Sequence, residues 1–350
     1  SGTVAGGILT ATSSEPVFTV FTYRLEAERV DAAGSWARLG PGLPDDAVNG
    51  VFGGGENDTL YLGLAGSGVY RSTDNGRTWS ETNTGLVDGF GGISPPFVIY
   101  RLTSGRLLRG GQVDSWGNGN GSPLWYSDDG TTWTQTAYPF PTPSRNPSGS
   151  LSFVDFAEHD GAVFAAETLS HGVWKSTDAG ETWTDAGAGL PVLPAFGLQK
   201  ANGIVSQGGA LLVVTDTGGV YRSLDAGVSW QAANEGIPGD FFGNRSGYDL
   251  VATPGGDAAY AAVDSRVYRT VDGGATWAPV GAGVFEAGAQ AKLGASDQLA
   301  VSDTHLYVYA SNGRIGESAD DGLTWQEIDT GNLPDLGLGT FENRFHVHNG

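Results

Sequence analysis

Four acidic residues, Asp114, Glu167, Asp216 and Asp264, each follow a short apolar run and precede a tight turn, so the chain repeats a carboxylate at one structural position. Two carboxyl groups brought a few ångströms apart can serve as acid and nucleophile, or as acid and base, on a glycosidic bond. The same placement also suits simple hairpin capping, because a carboxylate accepts the backbone N–H groups of its own turn. A second set is cationic. Arg145, Lys200, Arg245, Lys292 and Arg344 all fall in long connections between apolar runs. Converging there, they would clamp a carboxylate, sulfate or phosphate; the alternative is local pairing with Asp240, Asp249, Glu286 and Glu342. The third set is the segment 113–122, whose Trp116 sits among Asp, Asn, Ser and Gly. Such an indole is a platform for sugar stacking, or else a cover over an exposed strand edge.

Metal chemistry finds little footing. His159, His171 and His305 stand singly in turns, and His346 with His348 would share one strand face and supply half a site, so solvent-facing histidines are expected. Asp45-Asp46 and Asp320-Asp321 are carboxylate pairs able to attract calcium, although no oxygen-rich loop of recognised spacing surrounds them, and calcium binding stays open. No nucleophile elbow, phosphate-cradling glycine loop or zinc signature occurs, and no cofactor or metal is expected.

These residues must be positioned by the repeats between which they lie. An eight-residue phrase, Ser/Thr-x-Asp-x-Gly-x-Thr/Ser-Trp, runs Ser72 to Trp79, Ser176 to Trp183, Ser223 to Trp230, Thr270 to Trp277 and Ser318 to Trp325. Tyr126 to Trp133 loses the first hydroxyl, and Asp31 to Trp36 keeps the Asp-to-Trp distance with its glycine displaced. The seven tryptophans are separated by 43, 54, 50, 47, 47 and 48 residues. Periods of this length are those of propeller blades with four strands each. Alternating runs such as Gly68-Val69-Tyr70-Arg71 precede each phrase and read as third strands. The phrase itself supplies a turn, with Asp74, Asp128, Asp178, Asp225, Asp272 and Asp320 accepting backbone amides and the glycine free to adopt positive φ. An apolar residue recurs seven places after the tryptophan, at Leu43, Leu86, Phe140, Leu190, Ile237 and Val284, and one place later at Leu333.

The expected fold is therefore all-β: a seven-bladed β-propeller of four antiparallel strands per blade, with the phrase between third and fourth strands. Residues 1–350 form one domain, and the segment 340–350 closes the ring with blade one beside an N-terminal strand that the sequence leaves open. In such a ring the connections after second and fourth strands gather at the channel mouth. All three candidate sets fall on those connections.

With these phrases the chain resembles the Asp-box, or BNR-repeat, propellers, a superfamily that includes sialidases, two-ring xyloglucanases, sortilin-type receptors and photosystem II assembly factors. The resemblance implies a turn brace remote from the ligand site, and leaves the reaction open. The chain departs from sialidases: Tyr100-Arg101-Leu102 is the nearest approach to their Arg-Ile-Pro element and has no proline. Only one ring is present where xyloglucanases use two.

Composition bounds the setting. The 350 residues carry a formal charge of −21, with 15 arginines and only Lys175, Lys200 and Lys292 beside them. Nucleic acid and membrane insertion are excluded as expectations, since phosphate binding needs a basic face. Cysteine and methionine are both absent. Together with the acidity this suits an extracellular or cell-envelope location, and the Ser1-Gly2 start reads as a processed or a recombinant terminus. The reading is a monomeric module binding a glycan or protein partner through its channel-mouth loops, with a glycan-active hydrolase or lyase built on Asp114, Glu167, Asp216 or Asp264 as the alternative.

Overall fold

A computed structural model of the chain describes residues 7–11, 17–22, 37–38, 42–44, 48–53, 59–64, 67–74, 76–86, 93, 96–113, 124–137, 151–168, 172–192, 200–264, 266–280, 298–302, 304–309, 315–328 and 346–348. These residues form 28 strands and no helix; hence no helix among them is long and apolar enough to cross a membrane.

In chain order the first repeat supplies β1 (Gly7–Ala11), β2 (Val17–Thr22) and β3 (Ala37–Arg38), and the second supplies β4 (Val48–Gly53), β5 (Leu60–Leu64), β6 (Gly68–Ser72) and β7 (Ser80–Glu81). The third contains β8 (Pro96–Arg101), β9 (Leu107–Val113), β10 (Leu124–Ser127) and β11 (Thr134–Gln135); the fourth β12 (Leu151–His159), β13 (Ala162–Glu167), β14 (Gly172–Ser176) and β15 (Thr184–Asp185). Next come β16 (Ala201–Gln207), β17 (Ala210–Thr215), β18 (Gly219–Ser223) and β19 (Gln231–Ala232), then β20 (Gly247–Ala252), β21 (Ala259–Val263), β22 (Arg266–Thr270) and β23 (Ala278–Pro279). Last are β24 (Gln298–Val301), β25 (Leu306–Tyr309), β26 (Ile315–Ser318) and β27 (Gln326–Ile328), with β28 (His346–His348) at the end. Each repeat folds as an antiparallel meander, except that the first sheet runs β28-β2-β1-β3, with Phe18 opposite Val347.

The expectation of seven separate blades is corrected by the strand pairing. The strands form six sheets, five of four strands and one of eight. The double sheet arises because β9 pairs with β12 through Leu151↔Val113 and Ser152↔Gln112, joining the third and fourth repeats. Both strands are long, seven and nine residues, and β9 continues into the extra-long connection that sets the third repeat apart. Their extended ends therefore reach one another and hydrogen-bond, and the propeller has six blades, one of double width.

Burial follows the radius of each blade. Every residue of β5, β13, β17 and β21 is buried, which explains their continuous apolar sequences: a second strand is covered on both faces by neighbouring sheets. The two-residue fourth strands β7, β11, β15, β19 and β23 are exposed. Core clusters lie between sheets; one joins Val154, Phe164 and Val173 to Ile204, Leu211, Val213 and Trp230. Innermost strands β4, β8, β12, β16 and β20 each carry a register shift near their start. Such a bulge turns the strand and frees a backbone edge toward the next sheet.

Candidate functional site

Because strands alternate in direction, the propeller has two distinct rims. The turns joining first to second strands and third to fourth strands lie on one rim; the connections after second and fourth strands lie on the other.

The first rim carries the repeated phrase as a brace. In the turn from β6 to β7, the Ser72 hydroxyl donates to Asp74 Oδ1 (2.8 Å) and accepts from the Gly76 amide (2.8 Å), while Asp74 accepts from the Thr78 amide (2.8 Å) and hydroxyl (2.6 Å). Asp178, Asp225, Asp272 and Asp320 make the same set with Thr182, Ser229, Thr276 and Thr324. The third repeat differs. Asp129 accepts from the Ser127 hydroxyl and from the Thr131 and Thr132 amides, while Asp128 is held by Arg106 Nε at 2.7 Å. The turn has lost one residue, since Gly130 bonds to the hydroxyl three places back instead of four. The bonds expected of Asp128 thus belong to its neighbour. Asp321 pairs with Arg269 at 2.9 Å, so the Asp320-Asp321 carboxylates are both engaged within the protein.

Donated hydrogen bonds lower these carboxylates. The Thr78 hydroxyl, then its amide, hold Asp74 at about 2, and Ser229 does the same for Asp225. A carboxylate depressed on folding contributes stability above its unfolded value of about 3.9 and loses that contribution as pH falls through the folded value. Unfolding free energy measured in denaturant is therefore expected to decline between about pH 4 and pH 2, and a flat profile over that window would contradict the brace.

The second rim holds the candidate acids and cations that lie among the described residues. Glu167 is fully buried and accepts from the Ser152 amide at 3.1 Å. Asp264, at φ 46°, accepts from the Ser246 amide at 2.9 Å and returns its own amide to the Ser246 carbonyl. Each carboxylate ties the end of a second strand to the entry of its own first strand. Asp216 meets Lys200 Nζ at 3.2 Å and Asn202 Nδ2 at 3.1 Å, and Asn202 also donates to the Gly247 carbonyl of the following sheet. Arg245 donates to the carbonyls of Ile237 (2.8 Å) and Gly243 (3.1 Å). Its expected pairing with Asp240 or Asp249 is replaced by these backbone contacts. Asp114, Trp116, Arg145, Lys292 and Arg344 lie outside the described residues, as do His171, Asp45-Asp46, Glu286 and Glu342.

Three features escaped the sequence. Asp155 and Asp249 stitch neighbouring innermost strands: Asp155 accepts from its own Phe156 amide and from Ile204, and Asp249 from Leu250 and Leu299, all at 2.8–2.9 Å. An acid inside an apolar strand was the available signal. His159 is buried, 2.8 Å from the Ser206 hydroxyl of the next sheet, which corrects the expectation of a solvent-facing ring. His305 stacks on Tyr307. No group of three His, Cys, Asp or Glu residues that could hold a metal occurs among the described residues.

The third feature is Phe241-Phe242, which are 96% and 82% exposed and pack edge to face at 5.3 Å. They stand at the tip of a closed turn between β19 and β20. Asp240 Oδ1 accepts from the Phe242 and Asn244 amides, the Asp240 amide donates to the Asn244 carbonyl, and Arg245 locks the base. The Asn244 amide, the largest contribution, helps hold the Asp240 carboxyl below its ordinary value. A pairing between Gly218 and Arg245 fastens this turn to the one after β17, so the aromatic tip belongs to the second rim. Flanking Pro238-Gly239 and Gly243-Asn244 were the sequence signal for a turn.

The BNR/Asp-box repeat model matches residues 70–81. A xyloglucanase of Paenibacillus sp is 27% identical over 163 residues, covering 43% of this chain and 15% of the enzyme. An ancestral GH74 enzyme superposes with a TM-score of 0.52 at 17% identity, over 91% of this chain and 40% of that one. YCF48 bound to D1 peptide gives 0.51 at 15% identity, over 80% of each chain. The chain thus spans well under half of the first two, and at these identities the structural likenesses speak to fold alone. Repeated phrase, hydrogen-bonded turns and sheet architecture agree with the Asp-box, or BNR-repeat, β-propellers, which this chain resembles without assignment to a particular member.

Proposed function

We propose that this chain is an exported, single-domain interaction module that binds a glycan or a protein through the rim formed by the connections after second and fourth strands. The observation that carries the reading is the Phe241-Phe242 pair, fully presented to solvent on a turn fixed at its base. Displaying two phenyl rings in water is unfavourable unless a partner covers them, and aromatic anchors held in one conformation bind with little ordering cost. Stacking against sugar rings and insertion into a protein surface are both open to such a pair. Two relatives point to the same two ligand classes, one being named a xyloglucanase and the other bound to a peptide. By sequence, Trp116 belongs to the same rim and joins the proposed contacts.

A glycan hydrolase or lyase is the second reading, supported by the xyloglucanase relative. It is weaker because Glu167 and Asp264 serve the backbone and Asp216 is tied to Lys200 and Asn202. Catalysis needs two convergent acids whose environments drive their ionisation apart.

The test pairs a glycan array containing xyloglucan oligosaccharides with a displayed-peptide library, using the wild type and a Phe241→Ser, Phe242→Ser double variant. Loss of a central aromatic anchor is expected to weaken binding by about 2 kcal/mol or more, roughly thirtyfold. Unchanged affinity in the double variant contradicts the aromatic site. Xyloglucan cleavage that disappears in Asp216→Asn would favour the enzyme instead.

A further inference from the structure

We propose that the cleft between the second and third repeats, on the rim of the Asp-box turns, binds a small sugar acid through its carboxylate. This goes beyond the partner-binding reading and lies on the opposite rim, so either can fail alone.

The cleft, of about 420 Å³, is lined by Tyr61, Arg71, Arg101, Thr59, Thr73 and Asp129, among others. That volume is in the range of small-molecule sites, about 300–1,000 Å³. Its origin is a one-residue loss. Tyr61 and Arg71 face each other across β5 and β6, as Tyr260 and Arg269 do across β21 and β22. At the latter position the pair is closed by the next box turn: Arg269 Nε donates to the Tyr260 hydroxyl at 3.2 Å, Arg269 Nη2 meets Asp321 Oδ2 at 2.9 Å, and the Tyr260 hydroxyl donates to Asp321 Oδ1 at 3.3 Å. Asp321 is the fourth residue of its box and reaches out from a left-handed backbone at φ 61°.

The third box lacks that residue. Asp129 is drawn inward by the Ser127 hydroxyl and two turn amides, and Asp128 is taken by Arg106. Arg71 has no ion pair among the described residues, and its buried Nε has no hydrogen-bond partner there; Arg222, which faces Gly273 in the fourth place of its box, shares the second property. A guanidinium that elsewhere in this fold grips a carboxylate is thus left facing a cleft, beside the second guanidinium of Arg101. An exogenous carboxylate would restore the missing interaction in the bidentate geometry that arginine favours. Around it, the hydroxyls of Thr59, Thr73 and Tyr61 and the carboxylate of Asp129 supply donors and acceptors suited to a polyol. Burial, the largest effect, raises the Tyr61 hydroxyl, which keeps it a neutral donor.

The experiment is a calorimetric or NMR titration of the whole chain with D-glucuronate, D-glucose and sulfate. Two variants accompany the wild type: Arg71→Gln, and an alanine inserted between Asp129 and Gly130 to restore the full-length box. Glucuronate is expected to bind, with glucose at least tenfold weaker, and both variants are expected to reduce glucuronate affinity at least tenfold. Absence of glucuronate binding overturns the proposal, as does equal binding of glucose or retention of affinity in Arg71→Gln. Sulfate competing at equal concentration would reduce the site to a general anion hole and overturn the sugar assignment. Should Arg71→Gln fail to fold, the insertion variant decides by the same criterion.

Discussion

Truncating Trp230 to alanine is expected to cost about 3–5 kcal/mol, the range for removing a buried tryptophan from a packed core. For a chain of this length that corresponds to a fall in Tm of roughly 5 °C if unfolding is cooperative. The indole is 4% exposed and lies in the cluster that joins the fourth and fifth repeats. It also acts as a hinge pin. Its Nε1 donates to the Ala186 carbonyl at 2.7 Å and its backbone amide to the Ala188 carbonyl at 3.1 Å, both just beyond the fourth strand of the preceding repeat. Trp133 and Trp277 reach back in the same way, to Thr82 and Ala233. Trp79 and Trp183 instead donate to Gly76 and Gly180 of their own turns. Trp230→Phe separates the two contributions: it keeps most of the buried area and removes the hydrogen bond, so a loss of about 1–3 kcal/mol is expected. Equal losses in Trp230→Phe and Trp230→Ala would place the whole effect in the hydrogen bond and contradict the packing argument.

Gly236→Ala is expected to be comparably severe, about 3 kcal/mol or more, because two named mechanisms act at one atom. Gly236 has φ +92°, and a Cβ there would stand 1.9 Å from the Trp277 carbonyl oxygen. Left-handed backbone alone costs a residue with a Cβ about 1–2 kcal/mol. The clash cannot be relieved by a rotamer change, since the obstacle is backbone of the adjacent sheet. Gly42, Gly85 and Gly189 are in the same situation against Trp79, Trp133 and Trp230. The control is Gly256→Ala, at φ +70° with nothing within 4 Å, which should show the strain term alone. Chemical denaturation of both variants tests the difference, and similar losses would mean that the sheets part without cost.

These two positions show what was readable in the sequence. The hydroxyl, aspartate, glycine and tryptophan of each phrase interact within a few residues, so their spacing carries their geometry; the apolar anchors Leu86, Leu190 and Ile237 are buried where that spacing put them. What depends on a neighbouring repeat was not readable. The fusion of two repeats through β9 and β12 arises from strand ends that meet only in the folded chain. Counting back from Trp133 chose Asp128, whereas the bonds show a shortened turn built on Asp129. His159 looked solvent-facing until the Ser206 hydroxyl of the next sheet was placed against it. Asp155 and Asp249 carried no periodic signal because their partners, Ile204 and Leu299, are about fifty residues away. At the candidate site the partners of Glu167, Asp216, Asp264, Lys200 and Arg245 are long-range or backbone groups, which spacing does not reveal. Phe241-Phe242 broke no pattern that spacing could detect.

The central claim is that the partner is received on the rim of the Phe241-Phe242 turn, away from the box turns at 225–229 and 272–276. Hydrogen–deuterium exchange, with and without the strongest-binding probe from the array or peptide library, tests it most directly. The account expects slowed exchange at 216–219 and 239–246, with the box turns at 225–229 and 272–276 unchanged. Protection confined to those box turns, with the Phe241-Phe242 turn exchanging as in the free protein, would contradict it.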